Sequence, residues 1–398
     1  MLTYPEALSL LLEETHPLDT ERVALAEARQ RILATDIASP LALPTFDNAA
    51  MDGFALRNGT GDIARGTTFT VTGMQAAGDG TKDYPATHAC EIATGALVPD
   101  GFDTVVAVER CQRDGDIVTL LHDERRGQNI RRAGSDVAAG GAVLKAGRRI
   151  DAAAVMLLAA LGIDEVAVIR RPRVAIINTG SELHGSGTLP EAGIHDSNGP
   201  FLEASLAAWG IELVLRERVP DVGNGFLDAL DRACAGGADL IVTTGAVSAG
   251  RFDFVPSALA SRKARELFHK VAIRPGKPIL AARFDPGPLV LALPGNPIAV
   301  AVGQRFFVAP VLRAMAGLGP ETPTRVRMAT GHDVRPGLQH FALGTLEIDA
   351  SGYQVARAHP NQAAYKILPF AEANAWLTAD GTFGDVVDAW PLDPAAAA

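Results

Sequence analysis

Between Arg173 and Pro297 short apolar runs rich in β-branched residues alternate with stretches of helical period, and this rhythm constrains the fold more than any other feature of the chain. Strands are read at Val174 to Ile177, Ile211 to Leu215, Leu240 to Val242, Phe268 to Ile273, Ile279 to Phe284 and Leu289 to Leu293. Helices are expected from the Asp196-Ser197-Asn198 cap to Trp209, from about Gly225 to Ala235, and from Pro297. Such alternation implies an α/β domain with a doubly wound, mostly parallel sheet, whose ligands bind at the carboxyl ends of the strands.

Those ends carry polar loops: Thr179-Gly-Ser-Glu182, Asp221 after Pro220, Thr244 to Asp253, and Arg274-Pro-Gly-Lys277. Glu182, Asp221 and Asp253 offer the hard oxygen ligands that magnesium takes, and Arg274 and Lys277 can neutralise phosphate or oxyanion charge. Each also has a plain local reading. Asp221 serves as a helix cap, Glu182 as a first-turn carboxylate, Lys277 as a solvated turn residue, Leu293-Pro-Gly-Asn-Pro297 as a rigid turn, and Asp52-Gly53 as a hairpin turn.

The rest of the chain has a different grain. Thr3-Tyr4-Pro5-Glu6 is a capping box that predicts a helix from about Pro5 to Thr15, and Thr20 to Ile37 reads as weaker helix. From about Leu41 to Gly140 glycine and threonine rise and Asp-Gly and Asn-Gly pairs recur, which describes a β-rich module. Asp151 to Leu161 returns to helix, and strands at Arg325 to Met328, Phe341 to Ile348 and Val386 to Trp390 close the chain as a small β domain.

The net charge of −10 opposes a nucleic-acid partner. Cys90, Cys111 and Cys234 form no CxxC pair and fit a reduced cytoplasm, and no HxxxH pair occurs. The longest apolar runs, around Ala152 to Ile163 and Ile298 to Gly303, are shorter than a bilayer span, and Glu6, Glu13 and Glu14 argue against a signal peptide.

Seven segments, taken together, resemble the molybdopterin molybdenumtransferase family, the MoeA type of bacteria and the E domain of gephyrin. They are PTFDNAAMDGFAL (44–56), ATGALVPDGFDTVVAVE (93–109), GQNIRRAGSD (127–136), NTGSEL (178–183), TTGAVSAGRFD (243–253), IRPGKP (273–278) and LPGNP (293–297). The resemblance implies a MogA-like α/β molybdopterin-binding domain (1–19 and 171–318), a small α+β domain (20–40 and 141–170), a projecting β-rich module (41–140) and a C-terminal β barrel-like domain (319–398).

It further implies molybdenum insertion into adenylylated molybdopterin with Mg2+ and release of AMP, at sites shared across a homodimer. Asp52, Asp136, Glu182, Asp221 and Asp253 would then place metal, water or pterin, with Asp52, Glu182, Asp221 and Asp253 as the metal ligands. Thr94, Arg131, Arg274 and Lys277 would steady oxyanion or phosphate, Gly245 and Ser248 would admit the nucleotide, and Pro294 and Asn296 would line the substrate site. A molybdopterin adenylyltransferase and apo-molybdoenzymes are the implied partners. The chain departs from the family at Ser181, where an acid is usual, at Ala246 after Gly245, and at Gln362-Ala-Ala-Tyr365, where QGSG or QGSH is usual. The last departure removes an expected serine hydroxyl and leaves open a non-catalytic, pterin-binding paralogue. An adenylyltransferase is a third reading, opposed by the additional β domains.

Overall fold

The computed structural model describes residues 1–393 except 60, 85–87, 222–223, 248–253, 331–333, 335 and 381–382, with Thr330 and Asp380 described by their backbone alone. By internal packing the chain divides into two units. One comprises Met1–Ala34, Arg149–Asp151 and Glu165–Ala398; the other comprises Thr35–Arg148 and Ala152–Asp164.

The first unit is built on a six-stranded sheet in the order Glu212–Val219, Arg173–Thr179, Leu240–Thr244, Leu289–Leu293, Leu280–Arg283, Arg265–His269. The first four strands are parallel and the last two join antiparallel. Its central strands are apolar throughout because both faces are covered. On one face Val174, Ile176, Leu240, Val242, Leu289 and Leu291 pack with Ala7, Leu11, Leu202 and Leu206 and with the apolar residues after Pro297. On the other, Ala175, Ile177, Ile241, Val290 and Ala292 pack against Phe226, Leu230, Val255 and Leu259 of the helices Gly225–Ala235 and Val255–Ser261.

The N-terminal helix Tyr4–Glu13 carries the predicted capping box, with Thr3 N–H donating to Glu6 Oε2 at 2.8 Å. The helical stretch Pro297–Met315 has the length and apolar character of a membrane span, yet it is 83% buried within the protein and is a core helix. Gln304, Arg305 and Arg313 interrupt its apolar run, so the sequence shows only a piece of it. Arg305 is buried with Glu321 at 2.7 Å, and its Nε donates to Pro391 O at 2.9 Å.

The reading of Thr20 to Ile37 as helix is corrected. Thr20–Ala24 is a strand paired antiparallel with Glu165–Ile169, followed by a single 3-10 turn at Leu25–Glu27. Only a partner far along the chain, invisible to local periodicity, decides such a segment. The C-terminal region contains Thr324–Thr330, Gln339–Ile348, Gln354–Ala358, Ala375–Asp380 and Val386–Pro391. Gln339–Ile348 pairs with both Gln354–Ala358 and Ala375–Asp380, which closes these five strands into a barrel without free edges.

The second unit is β-rich and contains the 41–140 stretch together with Ala152–Asp164. Its sheet runs Thr104–Ala107, Gly53–Leu56, Ala89–Ile92, Thr68–Gln75, Ile117–Leu120, Cys111–Asp114, and it carries the helix Ala152–Ala160.

Candidate active site

At the carboxyl ends of the parallel strands a cleft of about 700 Å³ opens, a size suited to a small-molecule ligand. Thr179 and Thr244 end two adjacent strands, and Asn178 Nδ2 donates to Thr244 Oγ1 across them at 2.7 Å. The chain leaves Thr244 through Gly245, where φ is +91° and a Cβ would stand 2.5 Å from Thr179 O, so only glycine fits. Gly245 N–H is taken by Leu293 O at 3.0 Å. The contribution of Gly245 is therefore its missing side chain rather than a free donor. Ala246 follows in the left-handed region at φ +48°.

The walls come from neighbouring loops. Asn198, at the start of the helix Asn198–Ala207, donates to Gly295 O at 2.8 Å and so joins that helix to the Pro294-Gly-Asn296 turn. Asp221 accepts Ser181 N–H at Oδ2 (3.2 Å), and its own N–H donates to Ser181 Oγ (3.3 Å). The serine that replaces a usual acid thus anchors Asp221 without adding a like charge beside it. Glu182 lines the same cleft.

Four buried polar atoms, Asn178 Oδ1, Thr179 Oγ1, Thr243 Oγ1 and Asp196 Oδ2, have no hydrogen-bond partner among the described residues, and of these residues Thr179 lines the cleft. Native interiors rarely leave such atoms unmet, and strand ends facing a cleft are where bound water or ligand meets them.

Two carboxylates with hydroxyls nearby fit Mg2+, which takes one or two protein carboxylates and completes its shell with water and substrate phosphate. Among the described residues no group of three or more His, Cys, Asp or Glu side chains is placed to cage a metal, so the donor set does not fit a closed structural zinc site.

Of the residues expected from sequence, Glu182, Asp221, Gly245, Pro294 and Asn296 line this one cleft. Arg274 and Lys277 do not: both are exposed on the loop leading to Pro278, and only Pro278 reaches the lining. Ser248 and Asp253 lie outside the described residues.

In the other unit, Asp52 and Thr94 are joined directly. Thr94 N–H donates to Asp52 Oδ1 at 2.7 Å. That backbone bond, and then the Thr94 hydroxyl, hold the exposed Asp52 carboxyl below its ordinary range. Gly53 begins a strand rather than a hairpin turn, and a Cβ there would stand 2.0 Å from Val106 O. The hydrogen bonds Gly95 N–H to Ala49 O and Ala50 N–H to Asn129 O, each 2.8 Å, draw the segments bearing Asp52, Thr94 and Arg131 together.

The arginine pair divides its labour. Arg132 is neutralised by Asp47 at 2.5 Å, which also accepts Ala133 N–H, whereas exposed Arg131 has no ion-pair partner among the described residues. Asp136 is likewise exposed, with its N–H donated to Leu43 O at 3.0 Å and its carboxylate unpaired among the described residues.

Thr179 and Thr244, in the polar loops read from sequence, and Tyr365, at the end of the departing Gln362-Ala-Ala-Tyr365 segment, also line the cleft. Sequence reasoning missed Asn198 and Ile367: Asn198 was read only as part of a helix cap, and nothing local marks Ile367. Gln362 is a clamp, accepting Leu343 N–H at 2.8 Å and donating to His359 O at 2.8 Å. Ala364 O accepts Ile298 N–H at 3.0 Å, which brings the next residues to the cleft.

Comparisons with known proteins agree with this layout. Residues 2–162 match the family model for the MoeA N-terminal region (domain I and II), and residues 175–314 match that for a probable molybdopterin binding domain. The molybdopterin molybdenumtransferase of Synechococcus elongatus is 37% identical over 388 residues, covering 94% of each chain. That of Haemophilus influenzae is 33% identical over 393 residues, covering 97% of this chain and 96% of the relative. The crystal structure of the molybdopterin biosynthesis moeA protein of Pyrococcus horikoshii superposes with a TM-score of 0.81 at 28% identity, covering 98% of this chain and 99% of that one.

Proposed function

This chain belongs to the molybdopterin molybdenumtransferase family, enzymes of molybdenum cofactor biosynthesis, and from that premise we propose that it inserts molybdate into adenylylated molybdopterin with Mg2+ and releases AMP. The observation that carries the reading is the cleft at the parallel strand ends, where Glu182 and Asp221 share the lining with Thr179, whose buried Oγ1 has no partner among the described residues.

The two dithiolene thiols together replace one oxo ligand of molybdate, which leaves as water with both thiol protons, and a second water cleaves the phosphate anhydride and releases AMP. Mg2+, when bound, would offset the repulsion between the phosphates and the oxyanion. Glu182 and Asp221 would hold it, and Ser181 keeps the Asp221 carboxylate aimed. The close approach at Gly245 admits the nucleotide, and Pro294 and Asn296 wall the pterin side.

The reading extends to a cytoplasmic homodimer in which Asp52, Thr94, Arg131 and Asp136 of one subunit complete the site of its partner. Arg131 and Asp136, exposed and without an ion-pair partner among the described residues, support that role. Asp253 and Ser248 keep the parts that the resemblance assigns them, whereas Arg274 and Lys277, outside the cleft lining, are given none. A molybdopterin adenylyltransferase supplies the substrate and apo-molybdoenzymes receive the product.

The test is reconstitution: purified protein, adenylylated molybdopterin, Mg2+ and molybdate, with AMP measured chromatographically and an apo-molybdoenzyme assayed for activity. Tight pterin binding with no AMP release would instead support a scaffolding paralogue, the reading that Ala364 in place of a serine favours.

A further inference from the structure

We infer that Tyr365 is a specificity residue of the cleft, whose ring stacks on a planar fused heterocycle of the bound substrate. The inference rests on the reading proposed above for the class of ligand, and on this chain's own departure at Gln362-Ala-Ala-Tyr365 for the residue.

Tyr365 lines the cleft while remaining 68% exposed, and Ile367 beside it lines the cleft at 47%. A large aromatic left in water at a cleft forgoes the burial that stabilises such rings elsewhere in the fold. Apart from the imidazole of His195, it is the one aromatic ring among the described residues lining the cleft.

The backbone that presents it is fixed from both sides. Gln362 clamps Leu343 and His359, Ala364 O accepts Ile298 N–H, and Lys366 N–H donates to Ala363 O at 3.0 Å. A rigid main chain with an exposed ring is a preorganised platform, which spares the ligand the entropy of ordering it. Lys366 Nζ, tethered to Asn361 Oδ1, lies 6.0 Å from the ring centroid on one face. The opposite face is left for a planar ligand. Adenylylated molybdopterin contains two rings of this class, the pterin and the adenine, and stacking recognises either through its π face.

The test uses the full chain and its Tyr365→Phe, Tyr365→Leu and Tyr365→Ala variants. Thermal denaturation first checks that each retains wild-type stability, as expected for so exposed a side chain. Calorimetric titrations with AMP, with a 6-substituted pterin and with molybdate as a ringless control then follow.

Ala and Leu are expected to weaken one ring ligand roughly tenfold or more, Phe to leave it unchanged, and molybdate to bind all variants alike. Loss confined to AMP assigns the adenine, and loss confined to the pterin assigns that ring. Unchanged ring binding in Tyr365→Ala, full retention in Tyr365→Leu, or an equal loss for molybdate would overturn the inference. If wild type releases no AMP yet ring binding still depends on Tyr365, the insertase reading fails and the stacking role stands; turnover with Tyr365-independent binding is the reverse.

Discussion

The α/β cleft and the Asp52 turn of the β-rich module place carboxylates in opposite ways. In the cleft, Asp221 is held by two long bonds to Ser181, at 3.2 and 3.3 Å, and the lining it shares includes Thr179, whose buried Oγ1 has no partner among the described residues. In the module, Asp52 is exposed and takes one short bond of 2.7 Å from Thr94. The cleft is left unsatisfied by the fold and the turn is preset as an anion by it. A parallel sheet can tolerate orphan polar atoms at its strand ends because a large core on both faces offsets their cost. An exposed turn has no such reserve and fixes its carboxylate by local hydrogen bonding.

The comparison breaks most sharply under mutation of the two carboxylates. Asp221→Asn and Asp52→Asn are each expected to lower kcat by roughly a hundredfold or more, while circular dichroism and thermal denaturation stay near wild type. Should either variant keep wild-type turnover, its region is structural. The proposed sharing of sites between two subunits predicts that mixing Asp52→Asn with Asp221→Asn subunits restores part of the activity; absence of any recovery would overturn the sharing.

A smaller effect separates charge from position. Because the Asp52 carboxyl titrates below its ordinary range, it remains an anion as pH falls through the usual aspartate value. Its contribution is present above the unfolded-state pKa and is lost only as pH falls through the depressed folded value. Thr94→Ala removes the hydroxyl but keeps the backbone N–H, so the acid limb of kcat/KM should move upward while activity at neutral pH changes little. An unmoved limb would assign the acid limb to another group.

The smallest effect concerns the turn at Gly245. Ala246→Gly relieves a left-handed alanine and is expected to raise stability by up to about 1 kcal/mol, read from denaturant midpoints. A loss of stability would mean that the Ala246 methyl packs against its neighbours strongly enough to outweigh the strain.

Much of this was legible in the chain. The unbroken apolar runs at Val174–Ile177 and Leu289–Leu293 require burial on both faces, and that requirement dictates a parallel sheet with helices on each side. Glycine at positions 53 and 245 is visible in the sequence, but the reason for it is tertiary: a Cβ would overlap Val106 O at one and Thr179 O at the other. The order of the seven motifs carried the family, and with it the expectation of carboxylates at the strand ends.

Tertiary structure decided the rest. Thr20–Ala24 became a strand because Glu165–Ile169 offered a partner, and the terminal strands became a barrel because Gln339–Ile348 pairs on both sides. Arg131 and Arg132 are adjacent and alike in sequence, yet only Arg132 meets Asp47. Arg274 and Lys277 are outside the lining that Pro278 joins, while Tyr365, far along the chain from the strand-end loops, is part of it. Periodicity and turn chemistry are properties of neighbours along the chain, so they fix which elements form. Which side chains meet in a cleft depends on contacts between residues hundreds of positions apart, and those exist only once the sheet and barrel have closed.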